Sequence, residues 1–383
     1  MSTVTLATPT AGATTKIDRL FLGLSVIATA ILVTLVLLDH QPASGALILV
    51  GFCLGIAFFK AEFSYTAAWR RFLTRGEAGG MIGGLIVIAV AAVAIVPVAT
   101  LKPQFFGGAI APIGPSLVIG AFTFGVGMQL ANGCGSGTLY TAGAGSGRML
   151  IALLGFIVGC VAGSLSLPTF LKLGGINPIL ASASFGPWGG LAVTLMSLAL
   201  VAGVLALVAH ARGGNYRPSR NYVFGGIIIG LLCIGAFAAG GHPWSVTFGY
   251  TVWGAKIATA LGFDLSHAAF WQWPGPKHAL NSSILSDTSS LTDFGVLLGA
   301  MAAAAAGGSF ASAKWPPANS LVAALIGGLL MGWGARLGFG CNIGAFVGGV
   351  ASGSLHGWVW FAMALAGSLI GIRLRPLFGL SRE

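Results

Sequence analysis

Apolar residues fill this chain in long blocks, separated by short polar or charged stretches. Blocks at 20–38, 78–98, 188–210, 222–241 and 291–310 each approach the length of about 20 residues that an α-helix needs to cross a bilayer. Shorter or glycine-broken blocks lie at 44–59, 115–131, 148–167, 319–337 and 356–373. The pattern predicts ten spanning helices, and with them an all-α polytopic membrane protein. A further apolar stretch at 248–261 is too short to cross and reads as a re-entrant half-helix. Residues 1–19 are largely polar and read as a disordered tail. No small-residue cleavage site follows the first block, so it reads as a retained helix rather than a signal peptide.

Composition agrees with the pattern. Of 383 residues, 56% are hydrophobic and 7% are charged, where a soluble domain carries about 25% charged residues. The formal charge of +11 belongs to cations placed beside the apolar blocks, so it reports topology rather than nucleic-acid binding. Lys16 and Arg19 precede the first block; Lys60, Arg70, Arg71 and Arg75 follow the second. Arg212, Arg217 and Arg220 divide the chain, and Arg373, Arg375 and Arg382 close it. Cation-rich loops stay in the cytoplasm, which places both termini there and the protein in an inner (plasma) membrane. The opposite loops carry Asp39, Asp264, Asp287 and Asp293.

Two glycine-rich stretches read alike: GAFTFGVGMQLANGCGSG from Gly120 and GGLLMGWGARLGFGCNIG from Gly327. Both fit G-x-G-x-x-L-x-x-G-C-x-x-G without a gap, with Cys134 and Cys341 in the same register. The span before Cys134 is expected to run inward and the span before Cys341 outward, which is the inverted repeat of many transporters. The expected organisation is an extra helix and loop at 20–43, a first repeat at 44–211, a linker at 212–221, and a second repeat with its tail at 222–383. The Trp-rich segment around 271–276 reads as an insertion in the second repeat.

Gly133, Gly135 and Gly137 crowd around Cys134, and Gly340 and Gly344 flank Cys341. Glycine in a helix interior costs about 1 kcal/mol relative to alanine, so both helices are expected to break at these points. Broken backbone at membrane depth is tolerated where it is buried in protein or lines a cavity. Free amides and helix N-termini attract anions, and a thiol adds a weak, soft donor. The combination suits a small sulfur-containing anion. No acidic residue falls in a confident span interior, which disfavours a pump built on carboxylates. Arg336 lies five residues before Cys341, where the first copy has Gln129. Arg336, Arg148 and Lys256 either attract the anion or snorkel to the interface. His356 and the tryptophans Trp271 and Trp273 read as interfacial, and Cys53, Cys160 and Cys233 as small buried hydrophobes.

The run LLMGWGARLGFGCNIGAFVGGVASGSLHGWVWFAMALAGSLIGIRLRPLFGL closely resembles the closing signature of the YeeE/YedE-type sulfur transport family, which includes thiosulfate transporters. ANGCGSGTLYTAGAGSGR resembles its first-half signature, and the likeness extends over about 45–375. The resemblance implies passage of thiosulfate along a narrow, glycine-lined path, held by S–H hydrogen bonds from Cys134 and Cys341. The path residues it implies are Cys134, Cys341, Ser64, Gly133, Gly135, Gly137, Gly340, Gly344 and Asn342. Ser64 stands where the family has a third cysteine, so soft-sulfur selectivity is less secure than transport itself. Another sulfur or selenium species is the alternative. A cytoplasmic sulfurtransferase-like partner follows from the resemblance alone, and no cofactor or metal is expected. A membrane thiol enzyme would need an activated thiolate; His356 and Arg336 are the only activators near Cys341, and Cys134 has none nearby in sequence. No P-loop is present, so intrinsic ATP hydrolysis is not expected.

Overall fold

The structure, a computed structural model, describes residues 17–39, 42–311 and 315–383. Most of the tail expected at 1–19 lies outside the described residues. The chain is an all-α polytopic membrane protein, and among the described residues ten helical segments are long and apolar enough to span. Among the described residues the only β-structure is two isolated bridges, Ile113 to Ile176 and Leu180 to Ser354.

The first half comprises α1 (Arg19–Leu38), α2 (Pro42–Lys60), α3 (Tyr65–Arg75), α4 (Gly79–Leu101), α5 (Pro115–Ala131), α6 (Gly135–Gly143) and α7 (Gly147–Leu171). The second comprises α8 (Ala181–Ala211), α9 (Arg220–Gly240), α10 (Val246–Ala260), α11 (Pro274–Asn281), α12 (Thr288–Ala306) and α13 (Ala318–Leu337). A π-helical turn (Asn342–Val347), α14 (Gly348–Ala351) and α15 (Leu355–Leu374) complete it. Every apolar block became a helix. α8 starts at Ala181, earlier than the block at 188, because the helix bends through Gly186 (φ 69°) and Pro187 instead of beginning there.

Helices of the two halves pack crosswise. α2 lies on α12 and α4 on α9; α7 lies on α13 and α5 on α15; α1 lies on α12 and α4 on α8. Glycines let the backbones touch, since a methyl at Gly51, Gly55 or Gly299 would strike the carbonyl oxygen of Thr292, Val296 or Phe52. The α7–α13 and α5–α15 seams use Gly159, Gly328, Gly125 and Gly367 in the same way. Small residues are how membrane helices gain close van der Waals contact without a hydrophobic driving force. Gly299→Val should therefore pry α2 from α12. The expected loss is about 3 kcal/mol, read as a lower unfolding temperature in detergent; an unchanged midpoint would contradict this packing.

The cationic segments meet on one face. Arg71 donates to the Tyr222 hydroxyl at 2.6 Å, Arg212 to the carbonyls of Phe72 and Leu73 at 3.1 and 3.2 Å, and Arg75 pairs with Glu383 at 2.8 Å. Three side chains depart from the expected placement. Trp271 is fully buried against Phe270, Leu265 and Leu167 rather than interfacial, because the insertion folds back on α7 and α10. His356 is 1% exposed and bonds Ser354 Oγ at 2.7 Å, a capping-turn contact that draws it inside. Cys53 is exposed on the surface of α2, whereas Cys160 and Cys233 are buried.

Candidate functional site

The site is made of broken helices. α5 ends at Asn132, which adopts the left-handed conformation (φ 63°), and Cys134 then caps α6, its sulfur accepting from the Gly137 amide at 3.3 Å. α13 ends at Leu337, and Phe339 (φ 59°) and Gly340 (φ 148°) turn the chain into Cys341, which caps the π-helical turn. A side chain at Gly340 would be strained by that φ and would meet the Ala345 amide at 2.6 Å.

Two more helices begin in the same place. Ser64 caps α3 by accepting from the Ala67 amide at 3.2 Å, and its neighbours meet both breaks: the Phe63 carbonyl accepts from Tyr140 of α6 at 3.3 Å, and Tyr65 lies edge-on to Phe346 of the π-helical turn, ring centroids 6.4 Å apart. Ser245 caps α10 and faces Gly344, where a methyl would lie 3.5 Å from Ser245 Oγ. The two halves touch at Gly135, whose added methyl would lie 2.6 Å from Cys341 Sγ and 3.9 Å from Thr247 Cγ2. Tyr250 donates to the Gly135 carbonyl at 3.0 Å. The structure thus brings Ser64, Cys134, Gly135, Gly137, Cys341, Asn342 and Gly344 around one centre. Gly133 sits just behind it, against Thr138 and Met149.

Helix starts carry partial positive charge, here from α3, α6 and α10. Several buried polar atoms in this region have unused hydrogen-bonding capacity: Asn342 Nδ2 and Oδ1, Thr138 Oγ1, Tyr65 Oη, Asp293 Oδ2 and Arg336 Nε. In an apolar interior each such group costs about 1–3 kcal/mol. A polar solute placed among them would recover that cost.

The three cations are placed very differently. Arg148 gives Nε to Ser320 Oγ at 2.9 Å and its other nitrogens to the carbonyls of Ala131 and Leu130 at 2.6 and 2.8 Å. Arg70 and Arg375 join it there, both on Asn132 Oδ1, at 2.6 and 3.3 Å. Arg148 and Arg375 satisfy main-chain carbonyls left open where α5 stops, Arg375 through Gln129 at 2.6 Å, while Arg70 holds the Asn132 side chain. Lys256 is held by the carbonyls of Leu280 and Ser282 at 2.7 and 2.5 Å. Arg336 is 7% exposed and sits inside the protein, donating to Thr247 Oγ1 at 3.2 Å.

Asp293 corrects the expectation that no carboxyl lies within a span. It is 0% exposed on α12 and accepts from Trp244 Nε1 at 2.9 Å. The helix carries it inward because Asp287 caps α12, bonding the Ser290 amide at 2.8 Å, so the helix starts earlier than the apolar block. Burial pushes the Asp287 carboxyl up from its ordinary range, against the bonds from Ser290. Asp293→Asn keeps an acceptor for Trp244, whereas Asp293→Leu leaves that indole unpaired. The leucine variant should lose about 1–3 kcal/mol more than the asparagine variant, measured by unfolding in detergent. Equal losses would show that the Trp244 bond is not what the carboxyl supplies. A surface pocket lined by Phe248, His278, Ala279 and Asp287 opens beside α11.

A model described as sulphur transport matches residues 60–370. The chain belongs to that family. It is 35% identical over 166 residues to the probable transporter YedE of Escherichia coli, covering 40% of this chain and 37% of that protein. The probable transporter YedE of Salmonella typhimurium matches to the same extent. The chain therefore aligns with little more than a third of these YedE relatives. It is 28% identical over 265 residues to the thiosulfate transporter TsuA of Spirochaeta thermophila, covering 63% of this chain and 72% of that protein. The sequence does not mark Ser245, Thr247 or Tyr250 as site residues, since each meets the Gly-Cys segments, at Gly344 or Gly135, only through the fold.

Proposed function

We propose that the protein is a permease that takes up a small sulfur-containing anion, thiosulfate in the first instance, between Cys134 and Cys341. The contact of Gly135 with Cys341 Sγ carries the reading, because it sets both cysteine breaks at one point inside the protein. The helix starts supply positive potential, the amides and thiols supply donors, and no covalent step is needed. The TsuA relative, a thiosulfate transporter by name, supports the choice of anion.

The crosswise packing supports an inverted repeat. Each half would contribute five of the ten spans, and an odd number per half inverts the second copy. In this reading α1 and α8 are counterparts, since each precedes its half's broken helices and packs across on α12 or α4. The repeats then run from α1 to α7 and from α8 to α15, rather than from 44 and 222. The cationic face, with both termini, would be cytoplasmic in a bacterial inner membrane. The α11 face would be the entrance. A cytoplasmic sulfurtransferase-like protein would draw the imported sulfur onward.

The test is uptake of sulfur-labelled thiosulfate by proteoliposomes, with unlabelled sulfate, sulfite and thiosulfate as competitors. Thiosulfate should enter faster than into protein-free vesicles and should be the strongest competitor. Uptake blocked better by sulfate than by thiosulfate would replace the substrate, and no uptake of any sulfur anion would end the permease reading.

A further inference from the structure

Arg336 is a guanidinium held inside a membrane protein with little to hold it. Its surroundings are Thr247 Oγ1 at 3.2 Å and the Phe248 ring, whose centroid is 5.9 Å from Cζ. Its Nε has no partner, and among the described residues no carboxylate forms an ion pair with it. Arg148 shows the contrast, since all of its nitrogens are engaged by a helix end and a hydroxyl. Removing an unpaired charge from water costs several kcal/mol, and an anion that pairs with it recovers much of that.

The side chain lies along α7. A methyl at Gly163 would strike Arg336 Cβ at 2.7 Å, so the glycine makes room for it. Cys160 stands one turn earlier on the same face. Its sulfur lies 3.7 Å from the Thr247 carbonyl, so thiol and guanidinium converge on one residue in the first turn of α10.

We propose that Arg336, Thr247 and Cys160 form a second anion site, distinct from the Cys134–Cys341 pair and one step nearer the α11 pocket. The site takes a sulfur oxyanion with a terminal sulfur. The guanidinium and the hydroxyl receive the oxygens, which suit a planar, charged donor. The Cys160 thiol faces the softer sulfur end. The position fits a relay: Phe248 lines the α11 pocket and also lies under Arg336, while Thr247 Cγ2 lies beside Gly135 and Cys341. The site also places a third thiol on the route of a chain that has Ser64 near its centre. The proposal rests on the permease reading, and it deepens it.

The test uses the full-length protein in detergent and in proteoliposomes. Binding of thiosulfate and of sulfate is measured by calorimetry, and thiosulfate uptake is measured in parallel. Arg336→Gln should weaken the binding of both anions by at least about tenfold, the loss of one charge-assisted hydrogen bond or more. Arg336→Lys keeps the charge without the fork and should fall between wild type and the glutamine variant; it also serves if the glutamine variant does not fold. Cys160→Ala should weaken thiosulfate selectively, lowering its preference over sulfate. If wild type transports and all three variants bind and transport like it, the second site is wrong and the permease reading stands. If Cys160→Ala weakens both anions equally, the thiol does not read the sulfur end and the site as proposed is wrong. If wild type neither binds nor transports a sulfur anion, both readings fall together.

Discussion

Replacing Cys341 by alanine is expected to cut thiosulfate uptake by about ten- to a hundredfold without unfolding the protein. The sulfur is 0% exposed and lies against Gly135 of the opposite half, where the helix starts converge. A hydrogen bond to a charged group is worth about 1.5–3 kcal/mol, and each 1.4 kcal/mol is about a tenfold change in affinity. The thiol is a weaker donor than those groups, which places the lower end of that range within easy reach. Cys341→Ser separates two roles of the thiol. Serine restores a donor of smaller radius, so it should recover part of the rate for oxygen-rich anions and less for thiosulfate. Initial rates in proteoliposomes, normalised to folded protein by size-exclusion chromatography, decide the matter. Rates in the alanine variant equal to wild type would show that the sulfur is packing and not path.

Gly135→Val should have the other large effect, and for a steric reason. Its side chain would enter the space now shared by Cys341 Sγ, Cys341 Cβ and the Thr247 methyl, at 2.6, 3.0 and 3.9 Å from the first added carbon. The neighbouring atoms all belong to the opposite half, at the starts of the π-helical turn and of α10, so they cannot retreat without moving a helix break. Overpacking typically costs about 1–3 kcal/mol, which a well-packed bundle survives, but a path this narrow does not. Uptake should fall to the level of protein-free vesicles while the protein still runs as a folded species. Gly203→Val is the control, since no atom lies within 4 Å of an added methyl there. A Gly135→Val variant that transports normally would place the path elsewhere.

Much of the fold was legible because membrane helices are written in apolar length. The blocks at 115–131 and 319–337 coincide with α5 and α13 to within a residue, since glycine and polar residues stop both helices sharply. The Gly-Cys segments were legible for a different reason: a cysteine held in one register cannot be explained by glycine packing. The partners of those cysteines were not legible. Ser245 and Thr247 belong to a half-helix that returns from another part of the sequence, and a serine or threonine beside an apolar stretch carries no mark of it. Asp293 was misplaced because its helix starts at a capping aspartate rather than at the first apolar residue. Arg148 and Arg336 are indistinguishable in sequence, each an arginine at the end of an apolar block. Only the bonds of Arg148 to the end of α5, and the sparse surroundings of Arg336, tell them apart.

The central claim is that the anion lies between the two thiols, and its most direct test is to see it there. The protein would be crystallised without oxygen and soaked with selenosulfate, in which selenium replaces the terminal sulfur of thiosulfate. Anomalous scattering at the selenium edge should give a peak within hydrogen-bonding reach of Cys134 Sγ and Cys341 Sγ, lost in the Cys134→Ala, Cys341→Ala double variant. Selenium found only in the α11 pocket or on the cationic face, with the cysteine pair unchanged, would contradict the account.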